Sequence, residues 1–341
     1  MLKKLFAFFS TFLVLFSFSS CTSKNASNEK SIVLVMAEGN PADSVVGLMD
    51  LAFKRKVEEL SSGRIKIDLH CAGILGDEKQ VMSLIVKPES SIQLARVSAS
   101  LASYGGEKSR LLTIPYTFLT EEHFWEFADS PLADEILEEP YQKGLGVKGL
   151  FYGEEGFRHF FSTVPINSLS DIENKNVRVS NAKIMQDLVY SLKANPVEVT
   201  FSDLYSAMLR GETEVADQPI TNYLSNHFYE VAKYMIMDGH TLGAVQVVIN
   251  SSVWDSLSEE QQQILKIAGK YASDYCRKII DETERSAFNE LKKIGTVFTE
   301  VSDKTVWQAA CDEMIKDSSS QFPDLYKKIL GLGKNNGEKH D

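Results

Sequence analysis

Apolar and polar positions along this chain switch between two periods, and the switches lay out its elements. Residues 31–37 are a β-branched apolar run suited to a buried strand. Residues 44–60 place Val45, Leu48, Leu51, Ala52 and Val57 at the spacing of a helix with one core-facing side. Gly63 closes that helix, residues 64–70 alternate as a second strand, 77–86 read as a helix and 92–97 as a third strand. The order is βαβαβ. It recurs after Asn176, with a strand at 177–179, a helix at 183–192, a strand at 197–200, a helix at 202–210 capped by Gly211, and a short strand around Val215. Strands that alternate with helices need crossover connections, so each unit is expected to pair its strands in parallel. The ligand-facing edges are then the carboxyl ends of those strands.

Between the units lie two short helical stretches within 121–141 and an apolar strand at 147–152. The chain is expected to cross to the second unit just after that strand and to return along another strand at 244–250. From Ser258 a capping box, Ser258-Glu259-Glu260-Gln261, opens a helix with apolar positions at Ile264, Ala268, Tyr271, Tyr275 and Ile279. Continued to about Ile294, it is roughly 50 Å long at 1.5 Å per residue, enough to brace two lobes. The fold class is therefore α/β in two lobes. The first holds residues 31–153 with about 244–285, and the second holds 154–243 with about 286–330. The polar, glycine-rich stretch 331–341 reads as a disordered tail.

The amino terminus has a different character. Lys3 and Lys4 precede an uncharged Phe- and Leu-rich stretch over 5–20 that stops at Cys21, the pattern of a secretory signal peptide over 1–20. Its apolar core is shorter than the roughly 20 residues of a spanning helix. Phe18-Ser19-Ser20-Cys21 resembles the lipobox of bacterial lipoproteins, with Phe18 where Leu is usual. That resemblance implies acylation of Cys21, by palmitate-like chains, and a lipid anchor at the periplasmic face of a bacterial membrane. One acyl chain alone gives marginal affinity, whereas several on one cysteine hold stably. Residues 21–30 then serve as a polar tether.

Removing 1–20 leaves 321 residues and, with Lys3 and Lys4 gone, moves the formal net charge from −11 to −13. So acidic a body is a poor partner for nucleic acid. Cys71, Cys276 and Cys311 form no CxxC pair and read as packed thiols, with no disulfide predicted. The six histidines lack ligand spacing, no Ser or Cys sits in a nucleophile elbow, and Gly105-Gly106 is no phosphate loop. No enzyme activity, metal or cofactor is expected.

Several blocks carry a family likeness: Gly156-Phe157-Arg158-His159-Phe160, Val177-Arg178-Val179, Gly76-Asp77-Glu78, Ile114-Pro115-Tyr116, and the stretch from Phe201 to Ala207. Phe228-Tyr229-Glu230-Val231 and Val253-Trp254-Asp255-Ser256-Leu257 complete the set. In these, the chain resembles the solute-binding component of tripartite ATP-independent periplasmic (TRAP) transporters, the dicarboxylate- and sialic-acid-binding type, from about Ile32 to about Ile294. The resemblance implies a flytrap-like, two-lobed periplasmic binding fold and a small carboxylate-bearing ligand. It also implies TRAP membrane subunits as partners, driven by an ion gradient, and for lipoprotein members a tetratricopeptide-repeat protein. A ligand sensor or interaction module built on the same fold is the alternative.

The resemblance assigns Arg178 to the ligand carboxylate. Independently, a guanidinium is a rigid fork that meets both carboxylate oxygens. The other reading of Arg178 is a surface or interlobe salt bridge. Arg158 either touches the ligand or shapes the site from behind, and Phe201 either packs on the ligand or is core. Gln218 stands where the family usually has a ligand-binding asparagine, one methylene shorter, which puts the usual small hydroxy or keto acids in question. Lys87-Pro88-Glu89-Ser90 is a second departure, away from the expected site. On the first lobe, Glu38 after the first strand and Ser98 after the third are the candidate contacts, although Glu38 suits an anionic ligand only by meeting a hydroxyl or amine. Tyr152, Phe157, Phe160 and Phe161 could wall a lipid-like acid or be strand core.

Overall fold

The computed structural model describes residues 31–98, 106–180 and 182–333. The expectations for the signal, Cys21 and its tether, and for residues beyond 333, lie outside them. The first unit comprises β1 (Ile32–Ala37), α1 (Val45–Leu60), β2 (Ile65–His70), α2 (Glu78–Ile85) and β3 (Leu94–Ser98). Local chemistry sets the helix starts. Ser44 accepts the Gly47 N–H at 3.1 Å at the head of α1, and Asp77 with Gln80 closes a capping box on α2. β1 pairs in parallel with both β2 and β3, burying Leu34, Met36, Ile65 and Ile67 against Val46, Met49 and Phe53 of α1.

After α3 (Glu121–Ala128), α4 (Pro131–Gln142) and β4 (Val147–Ser162), the second unit follows as β5 (Asn176–Val179), α5 (Lys183–Ser191), β6 (Asn195–Glu198), α6 (Leu204–Leu209) and β7 (Val215–Pro219). Here β5 pairs in parallel with β6 and β7. The chain ends with α7 (Ile220–Ser225), β8 (Tyr234–Asn250), α8 (Ser251–Ser256), α9 (Glu259–Ile294), β9 (Val297–Glu300), α10 (Thr305–Ser319) and α11 (Pro323–Leu332).

The described strands join one sheet in the order β2-β1-β3-β8-β4-β7-β5-β6, with β9 beside β8. The sequence reading differs at the crossing, where it ends a strand at Tyr152 and begins the return at Ala244. Instead β4 runs for 16 residues and β8 for 17, antiparallel to one another through both halves of the sheet. Their centres, Gly153-Glu154-Glu155-Gly156 and Asp238-Gly239, are poor strand formers, and the paired stretches of β4 and β8 that flank them along the chain override that propensity. Register shifts within β4 between Glu154 and Phe157 and between Arg158 and Phe160 mark bulges where the strand bends. Gly156, at φ +86°, supplies the backbone conformation the bend needs.

The 36-residue α9 has the expected capping box at Ser258 and Gln261 and ends at Gly295. It packs on α1 and β4 and, further along, on α7, so it does brace both halves. The close approach to β4 requires Gly269, where a Cβ would stand 2.6 Å from the Phe151 ring. α11 packs on α3, with His123 Nε2 2.8 Å from the Ile329 carbonyl and the Thr117 hydroxyl 3.2 Å from that of Tyr326. That contact differs from the grouping of 286–330 with the second lobe, and α11 runs two residues into the stretch read as a tail.

Candidate ligand-binding site

Three arginines gather around the crossing, one from β3, one from β4 and one from β5. Arg96 on β3 is 8% exposed; its Nε donates to Glu38 Oε2 at 2.6 Å, a terminal nitrogen donates to Glu38 Oε1, and Nη1 lies 3.5 Å from Glu155 Oε1. Burial opposes the charge, yet Glu38 first and Glu155 after it hold Arg96 above its usual range. Arg158 on β4 donates from Nε to Asp217 Oδ2 at 2.5 Å and from Nη2 to the Asp217 carbonyl at 2.8 Å. The same Asp217 Oδ2 is 3.3 Å from His240 Nε2, and His240 Nδ1 is 2.6 Å from Asp238 Oδ2. Burial favours a neutral imidazole, but Asp238 and Asp217 on its two nitrogens push His240 up to about 9, so the ring is charged at neutral pH. Burial likewise opposes the Asp217 charge, and Arg158 and His240 overcome it, holding that carboxyl far below the usual carboxylate range.

Arg178 on β5 is different. It is 5% exposed, its Nε donates to the Val199 carbonyl at 2.9 Å, and it forms no ion pair among the described residues. Burial pulls it down to about 10, against the attraction of Asp217, and leaves it protonated at neutral pH. Near the crossing, buried acceptors also lack partners among the described residues: Asn40 Oδ1, Asp217 Oδ1 and Asn222 Oδ1. The Asn40 amide donates to Glu155 Oε1 at 3.2 Å, and Asn222 bonds the same carboxylate.

The other sequence candidates divide. Glu38 is 2% exposed with both oxygens on Arg96, and its Oε1 also accepts the Asn40 N–H at 2.5 Å, so its carboxylate is already engaged. Ser98, at the carboxyl end of β3, donates from its hydroxyl to Glu78 Oε1 at 2.9 Å. Phe201 is half-buried and meets the Phe228 ring edge-on at 5.9 Å, at the margin of a core cluster with Phe161, Leu204 and Tyr223. Gln218 on β7 is 3% exposed, lies opposite His159 in the ladder, and its amide makes no hydrogen bond among the described residues. The aromatic group is core rather than a wall. Tyr152 donates to the Ala133 carbonyl at 3.1 Å, Phe160 stacks on His240 at 4.4 Å, Phe161 meets Tyr223 at 5.0 Å, and Phe157 packs against the same interior.

The sequence reading missed Arg96, Glu155, Asp217 and His240. Arg96 carried a signal, since a charge in the middle of an apolar strand needs a buried partner. His240 carried none, because its acids come from β7 and from two residues earlier on β8.

Residues 36–321 match the family model described as bacterial extracellular solute-binding protein, family 7. This chain belongs to that family. The 2,3-diketo-L-gulonate-binding periplasmic protein YiaO of Escherichia coli is 24% identical over 282 residues, 81% of this chain and 85% of its own. The sialic acid-binding periplasmic protein SiaP of Vibrio cholerae is 25% identical over 273 residues, 78% of this chain and 82% of its own. Among solved structures, a TRAP periplasmic solute binding protein from Polaromonas bound to D-erythronate matches with a TM-score of 0.83 at 25% identity, over 88% of this chain and 98% of its own. The sugar acid binding protein of Advenella mimigardefordensis in complex with galactonate matches with a TM-score of 0.84 at 21% identity, over 90% and 99%. The two-lobed fold of the TRAP periplasmic binding proteins is thus the fold of this family 7 member.

Proposed function

We propose that this family 7 member captures a monocarboxylate rich in hydroxyl groups, a sugar acid, and delivers it to the membrane subunits of a TRAP-type transporter. Arg178 carries the conclusion, as a buried, charged guanidinium with no acidic partner among the described residues. An uncompensated buried charge is costly, and a ligand carboxylate that fits the guanidinium fork removes that cost. A second carboxylate would find no such opening, because Arg96 is held by Glu38 and Glu155 and Arg158 by Asp217. Residues 99–105 and 181 add neither Lys nor Arg. The open acceptors on Asn40, Asp217 and Asn222 suit hydroxyl donors instead. The relatives bound to erythronate and galactonate support the same class.

Gln218 tunes which sugar acid fits, since one atom of displacement in a closed site changes the substituents it accepts. The lobes follow the division drawn from the sequence except at α11, they meet where the chain crosses along β4 and β8, and the ligand favours closure through its better affinity for the closed form. Acylation of Cys21 holds the protein at the periplasmic face beside its permease, where a tetratricopeptide-repeat protein is a further partner.

Mass spectrometry of small molecules released from protein purified from its native host, followed by calorimetry with galactonate, erythronate and succinate, tests this. A sugar acid is expected to bind tightest. Succinate binding more tightly than either sugar acid, or Arg178→Ala leaving affinity unchanged, would overturn the conclusion. For the anchor, Cys21→Ala is expected to release the protein into soluble fractions, and continued membrane retention would refute acylation.

A further inference from the structure

Away from the arginines, the crossing holds a second ionisable cluster whose members come from three elements. Glu121 opens α3, Glu154 lies on β4, and Asp281 and Glu284 are on α9. Glu154 is fully buried; Trp125 Nε1 donates to its Oε1, and its Oε2 has no partner among the described residues. Burial, then Glu121, with Glu284 and Asp281 adding, holds Glu154 well above the carboxylate range. Burial pushes Glu121 up to about 8, aided by its side-chain hydrogen bond with Asp281, and burial with Asp281 pushes Glu284 up to about 7. A hydrogen bond between two carboxyls needs a proton on one of them.

Among the described residues no cation pairs with the group. None of the four forms an ion pair among the described residues. On α9, Arg277 approaches Asp129 and lies over the Trp125 ring, while Arg285 joins Asp281, Glu284, Ile220 and Phe288 around a surface indentation of about 350 Å³. Cys276, held as a thiol by burial, donates to the Glu154 carbonyl at 3.3 Å. α3 carries two further acids, Glu122 and Glu126, and α7 adds no charge. On α1, Asp50 is coupled to Glu38 and Arg96 instead. Among the described residues no three such groups are placed to hold a metal ion, which leaves the proton as the ligand.

The location gives the cluster its leverage. β4 slips register between Glu154 and Phe157, and Gly156 sits within that bulge, where a Cβ would overlap the Glu284 carboxylate. An α9 acid therefore rests directly on the bend.

We propose that these carboxyls form a proton-operated latch at the crossing: a shared proton ties Glu121 of α3 to Asp281 of α9 above the buried Glu154 and the Gly156 bend, and loss of protons from the group sets like charges against one another and loosens the bend. The folded values of Glu121 and Glu284 lie above the ordinary 4.5, so the tie contributes fully below that pH and is lost as pH rises through about 7 to 8.

The test uses ligand-free protein, so it stands or falls apart from the sugar-acid assignment. Thermal unfolding and hydrogen-exchange protection of the amides at 153–158 are followed from about pH 6 to about pH 9. In the wild type, protection is expected to fall about tenfold and the melting temperature to drop. The double substitution Glu121→Gln with Glu284→Gln should flatten both profiles. His240 titrates near the top of this window in both proteins, so the difference between them reports the carboxyls. If the double variant does not fold, the exposed Asp281→Asn substitution takes its place and should move the midpoint to lower pH. Profiles that coincide with the wild type, in whichever variant folds, overturn the latch.

Discussion

Arg96 and Arg178 are buried to the same degree on strands of opposite halves, yet their surroundings are opposite in kind. Arg96 meets two carboxylates, Glu38 and Glu155, and completes a closed network. Arg178 meets one backbone carbonyl and keeps the rest of its guanidinium unpaired among the described residues. The lesson is that burial of an arginine does not by itself mark a binding site. What points to one is burial without compensation, because a folded chain otherwise supplies the missing charge itself.

The comparison breaks most easily through stability. Arg96→Ala strands Glu38 and Glu155 without their cation and should cost about 3–5 kcal/mol in urea unfolding of the ligand-free protein, whereas Arg178→Ala should cost far less. Equal losses would mean that Arg178 is as structurally engaged as Arg96. In affinity the order reverses, with Arg178→Ala expected to weaken sugar-acid binding about ten- to a hundredfold by calorimetry, and Arg178→Lys recovering only part.

A smaller effect sharpens the role of Arg158, which resembles Arg96 in having its acid. Asp217→Asn removes a charge that holds His240 protonated, so an NMR titration should find the imidazole about one unit or more below its value of about 9. In the wild type, burial opposes the imidazolium while Asp238 and Asp217 favour it, raising the folded value above the ordinary 6.5. Its contribution is therefore present below that pH and lost as pH rises through about 9. An unshifted titration in the variant would detach His240 from Asp217. The smallest effect is expected at Gln218→Asn, which should change the ratio of affinities between two sugar acids by about tenfold or less.

Much of the fold was legible. The strand and helix order of both units, the capping box at Ser258 and the length of α9 follow from periodicity and from side chains that act within one turn of themselves. The crossing was not legible, because Glu154, Glu155 and Gly156 look like a loop until the stretches of β4 before and after them pair with β8. At the site, Arg178 could be named from a resemblance, but its lack of an acidic partner could not. Glu38 was visible as a charge at a strand end, while its partner Arg96 lies 58 residues away. The aromatic run around Phe160 read more readily as core than as a wall, and the contacts with His240 and Tyr223 place it in the core.

By itself the sequence determined the elements and their parallel pairing within each unit, which depend on short-range spacing, while the assignment of an arginine to a carboxylate came from the family resemblance. Only the tertiary structure decided which arginine is open. That choice depends on charges brought together from β1, β3, β4, β5, β7 and β8, and electrostatic pairing is set by distance in space rather than along the chain.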